Sequence, residues 1–105
     1  MDRTKQTRLE QAGWKVGDAA DFLELSPEET AFVELKLALA HYLRDVRVSR
    51  GWTQTIVAKQ LGSSQSRVAK MEAADGSVSI DLLVKSLLAL GASREDVGKV
   101  IAQAA

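Results

Sequence analysis

Between Thr53 and Glu72 the residue spacing permits little besides two short helices meeting at a tight turn. Thr53 is of a type that caps a helix, and Trp52 before it pairs with Val57, four residues inside, as a hydrophobic staple that fixes how the chain enters. Ala58 is small enough for a second helix to cross closely. Gly62 follows Leu61, where a helix end turns into left-handed backbone that glycine adopts without steric cost. Ser64 then caps a new helix. On it Val68 and Met71 share one face by three-residue spacing, while Gln65, Ser66, Ala69 and Lys70 fall on the opposite one.

That opposite face is small and polar. Gln and Lys are residue types that reach base edges in the major groove of DNA, and Ser and Arg commonly take phosphates. Such a face also suits a solvated helix on any helical protein; the whole stretch, rather than the face alone, reads as a DNA-binding helix-turn-helix. Here the chain resembles the phage-repressor-like, or XRE-type, helix-turn-helix family, specifically in Thr53-Gln54, Ala58, Leu61-Gly62, the run from Ser64 to Val68 and Lys70-Met71-Glu72. The likeness continues through Val78 to Leu83 and Leu87 to Gly91, covering roughly residues 35 to 92. The resemblance implies that Gln54 touches a phosphate and braces Gln65, and that Gln65, Ser66 and Lys70 face bases. It further implies that Ser64 and Arg67 contact the DNA backbone, with Arg67 also within reach of a base. Arg47 and Glu72 match positions that form a partly buried ion pair in that family; the residue types alone permit either that pair or two separately solvated charges.

A chain of 105 residues with 46% apolar content is ordinarily one globular domain with a modest core. Cysteine is absent, which excludes disulfides and thiolate metal sites and fits a reducing cytoplasm. No apolar run is long enough to cross a bilayer, and the N-terminus lacks the apolar stretch of a secretory signal, so a soluble, cytoplasmic protein is expected. The formal net charge is zero, which suits a DNA binder only once it is divided by region. Residues 44 to 70 hold six basic side chains, Arg44, Arg47, Arg50, Lys59, Arg67 and Lys70, against Asp45 alone, whereas the flanking stretches carry −3 and −2. A basic block coinciding with the reading motif is what phosphate neutralisation requires, although its small size implies weak binding by one subunit.

The rest of the chain predicts an all-α fold: a compact five-helix, phage-repressor-like helix-turn-helix domain over residues 26–105, preceded by an N-terminal arm over residues 1–25. Ser26-Pro27-Glu28-Glu29 is a strong helix start, and Phe32, Leu35, Leu39, Leu43 and Val46 recur at helical spacing toward Ser49. Ala74 to Ser77 read as a loop. A fourth helix, begun near Ser79 and rich in leucine, is expected at the centre of the core, and Ser93 with Asp96 resembles a capping box opening a fifth. That last helix carries Val97, Val100, Ile101 and Ala104 on one stripe and is the expected homodimer joint. In the arm, Arg3 to Ala12 and Asp18 to Leu25 read as short helices around an extended Trp14-Lys15-Val16. The phrases from Gly13 to Gly17 and Phe22 to Glu29 resemble the arm of HigA-like antitoxins, although Trp14 and Phe22 serve equally as core cover. From Asp18 to Glu34 there are six acids and no Lys or Arg, a field suited to a basic RelE/ParE-like toxin.

Enzyme chemistry finds no support. His41 is the only histidine, no carboxylate cluster accompanies it, and no phosphate loop or nucleophile motif appears. No cofactor or metal is expected, and the short stretch after Gly91 leaves no room for a catalytic domain such as that of cyanase. The expectation is a sequence-specific transcriptional regulator that binds double-stranded operator DNA as a homodimer, an autorepressing type II antitoxin by its second resemblance. A phage or mobile-element repressor without a toxin, and a protein-interaction module that does not bind DNA, remain the alternatives.

Overall fold

The computed structural model describes residues 24–104. The chain divides into two units, one of the residues up to 34 and one of residues 35–104. Five helices and no strand occur among the described residues: α1 (Pro27–Ser49), α2 (Gln54–Leu61), α3 (Gln65–Glu72), α4 (Ile80–Ala89) and α5 (Arg94–Gln103). The all-α, five-helix expectation is met. The arm readings before residue 24, including Trp14, Phe22 and the first two acids of the acidic run, Asp18 and Asp21, lie outside the described residues.

One device opens every described helix. Ser26, Thr53, Ser64, Ser79 and Ser93 each turn a side-chain oxygen back to accept the amide three residues on, at 3.0–3.2 Å. This satisfies one of the amides that a helix start leaves without an intrahelical partner. Two of the five are reciprocal. The Ser26 amide donates to Glu29 Oε1 at 3.2 Å, and the Ser93 amide donates to Asp96 Oδ2 at 3.1 Å, completing capping boxes.

The ends of the first four helices are equally uniform. After α1, α2 and α4, a glycine with positive φ is followed by an amide bonded to the carbonyl five residues back: Trp52 to Arg47, Ser63 to Ala58 and Ala92 to Leu87. The turn after α3 is built the same way, with the Asp75 amide on the Lys70 carbonyl at 3.0 Å, but the residue at φ 52° is Ala74. A Cβ at that φ crowds the following carbonyl, so this turn holds strain that the other three avoid. Lys36 on α1 anchors the same loop, donating to the Asp75 carbonyl at 3.0 Å.

Within residues 35–104 the centre consists of Leu39, Leu43, Val57, Val68, Met71, Leu83 and Leu87, all essentially inaccessible. Every helix contributes to the surrounding core, α5 through Val97. Ser86 is the one buried polar side chain there among the described residues, and its hydroxyl meets Met71 Sδ at 3.5 Å. Three expectations narrow. The apolar row on α1 is fully buried only from Leu39 on, with Phe32 exposed, and α4 buries Leu83 and Leu87 while leaving Leu88 outside. On α5, Val97 is buried and Val100 half-buried, but Ile101 faces out, and the helix stops before Ala104, whose backbone is extended. A helix ten residues long has room to pack one stripe, so apolar residues off that stripe stay at the surface.

Candidate nucleic-acid interface

The turn between α2 and α3 is set by Gly62 at φ 63° and Ser64 in an extended conformation, which brings the second helix back across the first. Ala58 sits buried at the crossing and Val68 and Met71 face inward, so Gln65, Ser66, Arg67 and Lys70 are turned to solvent together with the capping Ser64. Ala69, expected among them, is half-buried. Gln54, the first residue of α2, is half-buried and stands behind this face.

A single chain of side-chain bonds fixes α3. Arg47 on α1 grips Glu72 with two parallel hydrogen bonds, Nε to Oε2 at 2.6 Å and Nη2 to Oε1 at 2.9 Å, and spends Nη1 on the Trp52 carbonyl at 3.0 Å. The ion pair is therefore real, with the side chains only 15% and 6% exposed. Donating hydrogen bonds to Glu72 raises the affinity of the Arg47 guanidinium for its proton, against the opposing effect of its partial burial. Glu72 Oε1 also accepts from Gln54 Nε2 at 3.3 Å, and Gln54 Oε1 accepts from Gln65 Nε2 at 2.6 Å.

The direction of these bonds follows from donor and acceptor inventory. An ionised carboxylate only accepts, so Gln54 must offer it the amide nitrogen, which leaves the Gln54 oxygen for Gln65. Gln65 in turn offers its own nitrogen, and its carbonyl oxygen and one N–H stay available on the outer face. Gln65 and Glu72 are the first and last residues of α3, and both are tied to Gln54. The Gln54–Gln65 brace and the Arg47–Glu72 pair, separate expectations in the sequence, are thus one network joined at Glu72. Nothing in the linear spacing shows that junction, because it depends on how α1, α2 and α3 converge.

The basic block is smaller in effect than its formal charge. Arg47 is neutralised by Glu72, and Arg50 donates to the Leu90 carbonyl while stacking over the Trp52 ring at 4.9 Å. Among the described residues Arg44, Lys59, Arg67 and Lys70 have neither a hydrogen bond nor an ion pair from their side chains and remain for an anionic partner. No group of three or more metal-ligating side chains occurs among the described residues, and no described helix is long and apolar enough to cross a membrane. His41 lies exposed on α1.

A family model described as a helix-turn-helix domain matches residues 38–99, which span all of α2 to α4 and the network above. No curated protein and no solved structure matches the chain.

Proposed function

The chain belongs to the helix-turn-helix domain family, and from that premise we propose that it is a sequence-specific transcriptional regulator that reads duplex DNA with α3. The observation that carries this reading is the pinned α3: the Arg47–Glu72–Gln54–Gln65 network immobilises a helix whose outer face is polar and otherwise unoccupied. Gln65 and Lys70 take base edges, with Ser66 beside them; Ser64 and Arg67 take phosphates, and Gln54 supports Gln65 and touches the backbone. The oxygen and remaining N–H of Gln65 match the N6 amino group and N7 of adenine, a bidentate pairing open to glutamine.

Two copies bind a two-fold symmetric operator, because the four free cations of the 44–70 block hold DNA weakly and without discrimination on one small module. The exposed Ile101 and half-buried Val100 of α5 are the surface proposed to join them. Gel-shift titration tests the reading. Gln65→Ala and Lys70→Ala should each weaken binding to the chain's own promoter by about 1–3 kcal/mol, with unchanged melting. Equal affinity of the unaltered chain for promoter and random duplex would leave the interaction-module alternative standing.

The antitoxin role is a finer proposal, favoured by the acidic run from Asp18 to Glu34, which has no basic side chain. In this reading the arm holds a basic RelE/ParE-like toxin and the complex represses its own operon. A chain shortened to begin near Leu25 should still bind the operator and lose the neighbouring gene product in co-purification. Full retention of that partner would move the toxin surface elsewhere.

A further inference from the structure

A cleft of about 260 Å³ opens where the end of α2 meets α3 and α4. Leu61, Met71 and Leu82 form much of its apolar wall, and the cationic side chains of Arg67 and Lys85 also line it. No carboxylate does. Neither cation has a hydrogen bond or ion pair from its side chain among the described residues, so two positive charges border an apolar recess with nothing to balance them. The volume lies below the range of drug-sized sites, which restricts an occupant to one charged head and a tail of a few carbons.

We propose that this cleft takes a small organic acid, its tail against Leu61, Met71 and Leu82 and its carboxylate between Arg67 and Lys85, and that its binding opposes DNA binding. The opposition follows from Arg67. This residue stands in the first turn of α3 and is shared by the cleft and the DNA-facing surface. A guanidinium held in two parallel hydrogen bonds by a carboxylate is no longer free for a phosphate. By reciprocity DNA lowers the affinity for the acid in the same proportion. The second half of the proposal rests on the DNA-binding reading above; the first half does not.

Sodium hexanoate serves as the probe, titrated into the full chain with labelled methyl groups and without DNA. The methyl signals of Leu61, Met71 and Leu82 should shift and saturate, with no comparable change from 1-hexanol or sodium chloride. Lys85→Gln, at an exposed position outside the DNA-facing surface, should abolish most of the shift and leave promoter affinity intact. At hexanoate ten times its own dissociation constant, promoter affinity should fall about tenfold relative to sodium chloride of equal ionic strength. The Lys85→Gln chain should not respond. Absent shifts, or shifts unchanged in Lys85→Gln, overturn the site; saturation without loss of promoter affinity overturns the antagonism. A chain that bound no DNA under any condition would instead sink the regulatory reading, and the methyl titration would still decide the cleft.

Discussion

Glu72 is the residue on which fold and proposed function meet. Its carboxylate accepts from Arg47 twice and from Gln54 once, and it is nearly inaccessible. Glu72→Ala leaves Arg47 desolvated with only the Trp52 carbonyl, a loss of roughly 3 kcal/mol, at the low end for broken buried pairs because Arg47 keeps some water. For a domain of this size the thermal midpoint should fall by about 12 °C or more. A mutant that melts like the unaltered chain yet binds DNA poorly would place Glu72 on the DNA surface rather than in the frame. Gln54 and Gln65 are bonded to one another, so their alanine substitutions should be non-additive in promoter binding. The double mutant should lose less than the two single losses together, and strict additivity in the cycle would mean the 2.6 Å bond does not position Gln65.

At the scale of elements, the described helices share hydroxyl starts, and the first four also share left-handed ends, among which the single irregularity is Ala74. Glycine there removes the Cβ crowding, roughly 1–2 kcal/mol, against an entropic loss of about 0.5–1 kcal/mol. Ala74→Gly should therefore raise the melting midpoint by a few degrees, where an alanine-to-glycine change ordinarily lowers it. A lowered midpoint would show that α3 ends without strain. The start of α5 predicts a pH response. Asp96 accepts from the Ser93 amide, which holds its carboxyl below the ordinary carboxylate range. A lowered native pKa means that the contribution to stability is present above the ordinary aspartate range and is lost as pH falls through the native value. The protection factors of the α5 amides, taken against the intrinsic exchange rate at each pH, should accordingly fall on acidification below that range, and Asp96→Ala should show the lower protection already at neutral pH. Protection that is independent of Asp96 would mean that packing through Val97 alone holds the helix. The capping residues were legible in the sequence, since a cap needs only a hydroxyl and a free amide three residues away. The strained turn was not: an Ala within an Ala-Ala-Asp-Gly-Ser loop gives no sign of which residue takes the positive φ.

For the molecule as a whole, the consequence lies in electrostatics. The formal excess of the 44–70 block is cut because Arg47 and Arg50 serve the fold, leaving Arg44, Lys59, Arg67 and Lys70. If all four met phosphates on each of two subunits, the logarithm of the binding constant would fall against the logarithm of salt with a slope of about −7. A shallower slope is expected, since Lys70 is assigned to bases. A slope clearly steeper than that limit in a salt-varied gel shift would bring in Arg47, Arg50 or cations outside the block. Sedimentation should show a dimer at the micromolar concentrations where a two-fold footprint appears. A monomer leaving a one-sided footprint would refute the paired arrangement.

The sequence by itself determined the helical content, the caps, the Gly62 turn and the outward placing of Gln65, Ser66 and Lys70, because each depends on contacts within a few residues or on the 3.6-residue period, whereas Ala69, read on the same face, is half-buried. Residue types also bounded the Arg47–Glu72 pair without requiring it. Only the tertiary structure decided that this pair, Gln54 and Gln65 form one network, that Arg50 is withdrawn to the Leu90 carbonyl, and that Phe32, Leu88 and Ile101 stay outside the core. Those outcomes turn on which helix faces converge across separations of 11 to 40 residues, and there local spacing carries no distance information. A periodic row of apolar side chains states what a helix has available to bury; the neighbours that arrive beside it settle how much of that row is used.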